Sequence, residues 1–290
     1  MTTTETATST SLRTKLRTAA CVGSFVSLKD PFVVGQLSVA GYDFVLIDME
    51  HFPCSPETLQ AMVTTAKSVD MGVMVRVADS SRSSIQQALD TGADGILVPM
   101  VESVQQAKAI VDLAHHAPLG SRGFHSMTNA AAYGAVSPDE LSYYTSQRIV
   151  VGIQIETRLG LQACEAMSAL RGIDLVFAGP GDLAQSLGVD PRSDMLEHAV
   201  KRIIGAARSH GKFAGIFALA ANQVRGASAM GARFLVVASD TLFLRQAAEA
   251  MRSELGSLPD PGALTPRPFK LVRHPERLRK RPSRLVRRAG

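Results

Sequence analysis

The sequence predicts a (β/α)8 barrel, an α/β fold built on a closed parallel sheet. Three observations carry this expectation. Eight short, β-branched apolar segments recur, at 20–27, 44–48, 72–77, 95–98, 150–156, 174–178, 213–217 and 234–238. They are apolar on both faces, as strands covered on both sides by helices must be. Helix-patterned stretches separate most of them, and eight such units in about 240 residues is the size of this barrel. Finally, several of the apolar runs end in ionisable groups, as in Val45-Leu46-Ile47-Asp48-Met49-Glu50-His51. That pattern builds a core badly, but it places polar groups at the C-terminal mouth of a parallel barrel well. A doubly wound open sheet is the competing fold, but no Gly-x-Gly-x-x-Gly follows the first strand.

The elements follow in order. Residues 1–15 are rich in Thr and Ser with no hydrophobic stretch of a secretory signal, and are expected to be a disordered lead-in. The barrel domain is expected over 16–258. Its first strand runs into Lys29-Asp30-Pro31, which reads as a helix start. The second strand ends in Asp48 and delivers Glu50 and His51, and a helix is expected over 57–68. Arg76 lies at the end of the third strand, and the next helix, 84–90, ends in Asp90. A helix over 103–115 follows the fourth strand. From 117 to 147 no strand is apparent. This stretch holds Gly120-Ser121-Arg122-Gly123 and the small residues Ala130 to Gly134, and a connection so long is functional or part of an interface. Gln154 and Glu156 end the fifth strand and, being two apart, face the same way. After a helix over 161–170, the sixth strand leads to Gly179-Pro180-Gly181-Asp182, with Asp182 at a helix start. Helices at 196–209, 222–230 and 241–255 complete the set. Gly41, Gly72, Gly92, Gly211 and Gly231 mark helix-to-strand handovers.

Composition bounds the function classes. The net charge is +5 over 290 residues, but from Pro261 onward ten Lys or Arg face one acid, Glu276. That segment holds +9, so the remainder is a mildly acidic −4. Residues 259–290 are therefore expected to be a disordered basic tail. Its 277–288 run has no aromatic residue for base stacking, so sequence-specific RNA reading is not expected. A barrel that merely carries a tail binding nucleic acid or an acidic partner stays as a reading of another class. No apolar run approaches the ~20 residues that span a bilayer. Cys21, Cys54 and Cys164 form no Cys-x-x-Cys, which suggests three reduced thiols in a cytoplasmic protein.

The strand-end residues suggest chemistry. Glu156 and Asp182 are candidate ligands for a hard divalent cation such as Mg2+ or Mn2+. The alternatives are a helix N-cap for Asp182 and a salt bridge to Arg158 for Glu156. The amides of Gly181 and Asp182 suit a substrate carboxylate. His51 is the candidate base, or else a structural histidine. Arg76 suits an enolate oxygen or a carboxylate, and equally a bridge to Asp48 or Glu50. Arg122 is either a binder of the far end of an anionic substrate or an ordinary loop cation. Imine chemistry needs a lysine at the mouth. Only Lys29 is so placed, and this route ranks low.

The series Ile47-Asp48-Met49-Glu50-His51, Arg76, Leu97-Val98-Pro99-Met100, Gln154-Ile155-Glu156-Thr157 and Gly179-Pro180-Gly181-Asp182-Leu183 resembles the class II pyruvate aldolases of the HpcH/HpaI family. These include 4-hydroxy-2-oxoheptanedioate and 2-keto-3-deoxy-sugar-acid aldolases. The resemblance runs from about residue 16 to about residue 255. It implies a barrel of the phosphoenolpyruvate/pyruvate superfamily, usually a homohexamer (a trimer of dimers) with last helices exchanged between neighbours. It implies that Glu156 and Asp182 hold the divalent metal, Mg2+ or Mn2+ with Co2+ and Zn2+ as further candidates, and that the metal chelates pyruvate. Gln154 and Gly181 would contact the pyruvate moiety. His51 would be the general base, Arg76 would stabilise the enolate, and Asp90 would raise the basicity of His51. A 4-hydroxy-2-oxo acid would be cleaved to pyruvate and an aldehyde. The loop after Gly123 keeps Ser126 but departs elsewhere from the degradative aldolases, so the acceptor is not read from it. Biosynthetic relatives, siderophore-type citrate synthase and macrophomate synthase, use the same enolate site and give the alternative reading.

Overall fold

The computed structural model describes residues 11–256. Eight parallel strands close into a barrel in sequence order: β1 (Cys21–Val26), β2 (Phe44–Asp48), β3 (Gly72–Arg76), β4 (Gly95–Val98), β5 (Val150–Ile155), β6 (Leu175–Ala178), β7 (Phe213–Ala218) and β8 (Phe234–Ser239). All eight expected strands are present. β8 closes onto β1 with a register irregularity between Gly23 and Phe25. The helices are α1 (Leu12–Thr18), α2 (Pro31–Val39), α3 (Pro56–Ser68), α4 (Arg82–Asp90), α5 (Val104–Ala114), α6 (Pro138–Arg148), α7 (Arg158–Ser168), α8 (Pro180–Leu187), α9 (Asp194–Ser209), α10 (Ala221–Ala229) and α11 (Asp240–Glu254).

Strand side chains alternate between two cores. One set packs outward against the helices, with Val45, Ile47, Val73, Val75, Ile153 and Val176 wholly buried. The other fills the barrel with Phe44, Leu46, Met74, Leu97, Leu175, Phe177, Phe234 and Val236. Phe44 and Phe234 stack at 4.2 Å between centroids. Gly23 makes room for this ring, because a Cβ there would overlap Phe44.

The lead-in expectation needs correction at its end. α1 begins at Leu12, inside the segment expected to be disordered, and Leu12 and Leu16 pack into the interior cluster. Two apolar residues four apart share one helix face, and that face stoppers the N-terminal end of the barrel. The strandless 117–147 connection holds a 3-10 turn, Asn129–Gly134, and then α6, whose Ser137 and Glu140 form a capping box. The barrel forms one unit through Ala248; residues 249–256 are the described part of a second. The basic tail expected over 259–290 lies outside the described residues. No helix among the described residues is long and apolar enough to cross a membrane.

Candidate active site

The mouth is built from strand ends. Asp48 and Arg76 are opposite one another in the β2–β3 register, so two residues far apart in sequence become neighbours. Both are buried, and Arg76 grips Asp48 with two bonds, Nε to Oδ1 at 3.0 Å and Nη2 to Oδ2 at 2.8 Å. This fork is a geometry that lysine cannot supply. Arg76 Nη1 also reaches Glu50 Oε2 at 3.1 Å, and the guanidinium lies over the Phe25 ring at 4.5 Å. The bridge expected as one role for Arg76 is therefore made, with both acids. Asp48 Oδ1 accepts the amide of Glu50 at 3.0 Å and so folds the chain that carries His51. The His51 side chain is 59% exposed, with Nε2 3.8 Å from Glu50 Oε2.

Glu156 is 2% exposed. Its Oε1 accepts the amide of Met100 at 2.7 Å, and its Oε2 accepts the amide group of Gln154. Met100 adopts a positive φ of 55° to deliver that amide, a strained conformation of the kind that collects at functional sites. Arg158 instead donates to the Leu187 carbonyl, so the salt-bridge alternative for Glu156 is not realised. Gly179 lies against this carboxylate, and a Cβ there would stand 3.0 Å from Glu156 Oε2. Gly179 is also the cap of α8, and Asp182 sits in the first turn rather than at the cap. Its carboxylate makes no hydrogen bond or ion pair among the described residues, so the capping alternative fails too.

Burial pushes the Glu156 carboxyl up from its ordinary range. Gln154 and the Met100 amide pull it down, and Glu50 and Asp182 push it up further. Glu50 is also raised, first by burial, with Arg76 opposing. Three acids at one mouth thus repel one another. In addition, Gln154 Oε1 is buried without a hydrogen-bond partner. A cluster of hard oxygen donors with excess negative charge and an orphaned acceptor fits a divalent cation.

A cavity of about 330 Å³ opens at this mouth. Asp48, His51, Arg76, Gln154, Gly179, Gly181 and Asp182 line it, and Phe25, Phe52, Phe177 and Phe217 form its apolar walls. Phe25, Phe177 and Phe217 were missed because a strand-end aromatic reads as core, and Phe52 because it falls in the loop between β2 and α3. Ser27, Ser239 and Thr241 complete the rim.

Three expected site residues are not at this mouth. α4 precedes β4, so Asp90 lies at the opposite rim, and within one chain it does not reach His51. Arg82, at the start of the same helix, is not its ion-pair partner. Arg122 is: Nη2 meets Asp90 Oδ1 at 2.8 Å. Arg122 is buried, with Nε and Nη1 unpartnered, so it is no ordinary loop cation. It lines a different cavity, beside Lys67, Asp94 and Asn129 at the N-terminal rim. Ser126, in the same connection, is half-buried and does not line the mouth.

Fold and site together define a barrel enzyme that gathers acids, a guanidinium and an imidazole around one small cavity. Residues 22–247 match HpcH/HpaI aldolase/citrate lyase. The hydroxypyruvate/pyruvate aldolase of Deinococcus radiodurans is 34% identical over 237 residues, which cover 79% of this chain and 83% of that one. The 2-keto-3-deoxy-L-rhamnonate aldolase of Salmonella dublin is 31% identical over 234 residues, covering 79% and 86% respectively. A crystal structure of a family protein from Burkholderia cenocepacia superposes with a TM-score of 0.79 at 31% identity, covering 85% of this chain and 99% of that one. The chain belongs to the HpcH/HpaI aldolase/citrate lyase family. It is an aldolase, a carbon–carbon lyase.

Proposed function

We propose that the mouth cleaves a 4-hydroxy-2-oxo acid to pyruvate and an aldehyde, and runs the same step in reverse. The observation that carries this reading is the cavity with apolar walls that His51, Arg76, Gln154 and Asp182 line together, with the Glu156 carboxylate hydrogen-bonded to the lining Gln154. Glu156 and Asp182 would hold Mg2+ or Mn2+, with Co2+ and Zn2+ as further candidates. A divalent cation held by them would supply Lewis-acid stabilisation of the negative charge that develops on the substrate.

The chain's own groups do the rest. The amides of Gly181 and Asp182, in the first turn of α8, bind the substrate carboxylate, and Gln154 contacts the pyruvate moiety. His51 takes the proton of the C4 hydroxyl. The C3–C4 bond then breaks; its electrons become the enolate of pyruvate, and the aldehyde departs. Arg76, held rigid by Asp48, faces the developing enolate oxygen. Return of a proton to C3 releases pyruvate.

We further propose a cytoplasmic homo-oligomer, a hexamer arranged as a trimer of dimers, in which the Asp90–Arg122 pair of one copy completes the mouth of another. The pair is joined by an ion pair and stands at the opposite rim of the barrel from its own His51. In such a site Asp90 orients the ring, and Arg122 meets the distal end of an anionic substrate.

The test is pyruvate release from a panel of 4-hydroxy-2-oxo acids, before and after exhaustive chelation. Expected are pyruvate formation, its loss on chelation and its return with Mg2+ or Mn2+. Full activity without a divalent cation, together with borohydride trapping at Lys29, would overturn the reading. Formation of citrate-type or decarboxylated products in place of pyruvate would transfer the site to the biosynthetic alternative.

A further inference from the structure

Lys29 has no part in the mechanism above, yet it is tied into the mouth. Its Nζ donates to the backbone carbonyl of Asp48 at 2.5 Å. Asp48 is the residue that clamps Arg76 and folds the turn before His51. The backbone just before Lys29 is itself held. Asp240, buried at the start of α11, accepts the amide of Ser27 at 3.0 and 3.1 Å and that of Leu28 at 2.8 Å. These bonds form a belt running from the end of β8, across the end of β1, to the ends of β2 and β3. Ser27, Ser239 and Thr241, all on the cavity rim, belong to or flank it.

We propose that Lys29 is a positioning residue for the aldol site: anchored through Asp240, its ammonium pins the Asp48 carbonyl and fixes the turn that presents Arg76 and His51. This rests on the aldolase reading. The distance argues against Lys29 as a nucleophile, because its nitrogen already serves a carbonyl and Lys29 is not among the residues lining the cavity. The groups facing it are Asp48 on β2, Cys54 in the following loop, Arg76 on β3 and Asp240 at α11. Burial lowers the Lys29 pKa below its ordinary range, against the pull of Cys54, Asp48 and Asp240. The ammonium is therefore given up at a lower pH than that of a solvated lysine, and the belt opens on the alkaline side.

The experiment compares Lys29→Met and Lys29→Arg with the parent protein by steady-state kinetics, by pH profile and by amide hydrogen exchange of peptides covering 44–56. For Lys29→Met, kcat is expected to fall tenfold to about a hundredfold with KM little changed, as a misplaced catalytic group costs. Exchange at Glu50 and His51 should quicken. Lys29→Arg should restore most of kcat and move the alkaline limb to higher pH, since guanidinium does not titrate there. Cys54→Ser should leave that limb in place. A parent-like kcat and exchange in Lys29→Met, or an alkaline limb that moves with Cys54 rather than Lys29, would overturn the proposal. So would loss of activity with unchanged exchange, which would mark Lys29 as a direct participant. If Lys29→Met does not fold, Lys29→Gln carries the same comparison. If the parent protein shows no lyase activity, the aldolase reading fails, and the exchange measurement alone decides whether Lys29 holds the turn.

Discussion

At the residue scale the site depends on pairs whose members are far apart in sequence. Arg76 was legible as a strand-end cation, but its double grip on Asp48 follows from the β2–β3 register, which the sequence does not print. Arg76→Lys is expected to keep the charge and lose the fork. Without a donor preset toward the enolate oxygen, kcat should fall by about a hundredfold. Asp48 would lose a charged hydrogen bond in a buried place, at roughly 1–3 kcal/mol of stability, read by denaturant unfolding. A second residue answers to pH. Burial lowers the pKa of His115 below its ordinary 6.5, with the Gly172 carbonyl, which accepts from Nε2, opposing. The unfolded chain takes up a proton near pH 6.5 while the folded one resists it. Stability is therefore full above that pH and is lost as pH falls below it. The melting temperature should drop between pH 7 and 5, and His115→Gln should flatten the slope, which for one proton is at most about 1.4 kcal/mol per pH unit.

At the element scale the eight strands were readable because each is short, β-branched and apolar on both faces, and their order fixes a parallel barrel. The helices α3, α4, α5, α7, α9, α10 and α11 were readable from their spacing to within a few residues. α1 was not. Seven residues give too little periodicity to compete with the Thr- and Ser-rich sequence before them. What holds α1 is burial of Leu12 and Leu16 in the barrel end, a tertiary effect. Leu16 is fully buried, so Leu16→Ala should cost about 2–5 kcal/mol, measured by urea unfolding. A change near zero would mean that α1 does not stopper the barrel in solution. α6 escaped notice for a related reason. Its polar sequence carries little apolar pattern, and its start rests on a capping box rather than on a hydrophobic stripe.

At the scale of the whole molecule, one chain assembles a mouth and, at the opposite rim, a separate Asp90–Arg122 pair. The proposed sharing between copies is tested by complementation. Mixed oligomers of His51→Ala and Asp90→Ala subunits are expected to regain part of the activity that each lacks alone. In such an assembly some mouths receive an intact His51 from one chain and an intact Asp90 from another. Verified mixed oligomers with no recovery would remove Asp90 from the shared site.

The sequence by itself determined the barrel and the order of the polar groups at its strand ends. A parallel barrel puts every strand's C-terminal end at the same place, so reading the ends in turn lists Asp48, Arg76, Gln154, Glu156 and Asp182 without coordinates. Only the tertiary structure decided what those groups do to one another. It turned Asp182 out of the helix cap, freed Glu156 from Arg158 and set three acids within repelling distance. It also paired Asp90 with Arg122 across the long 117–147 connection. Strand order is a property of local patterns, which sequence carries residue by residue. Side-chain partnership depends on register, rotamer and burial, which exist only once distant segments have packed.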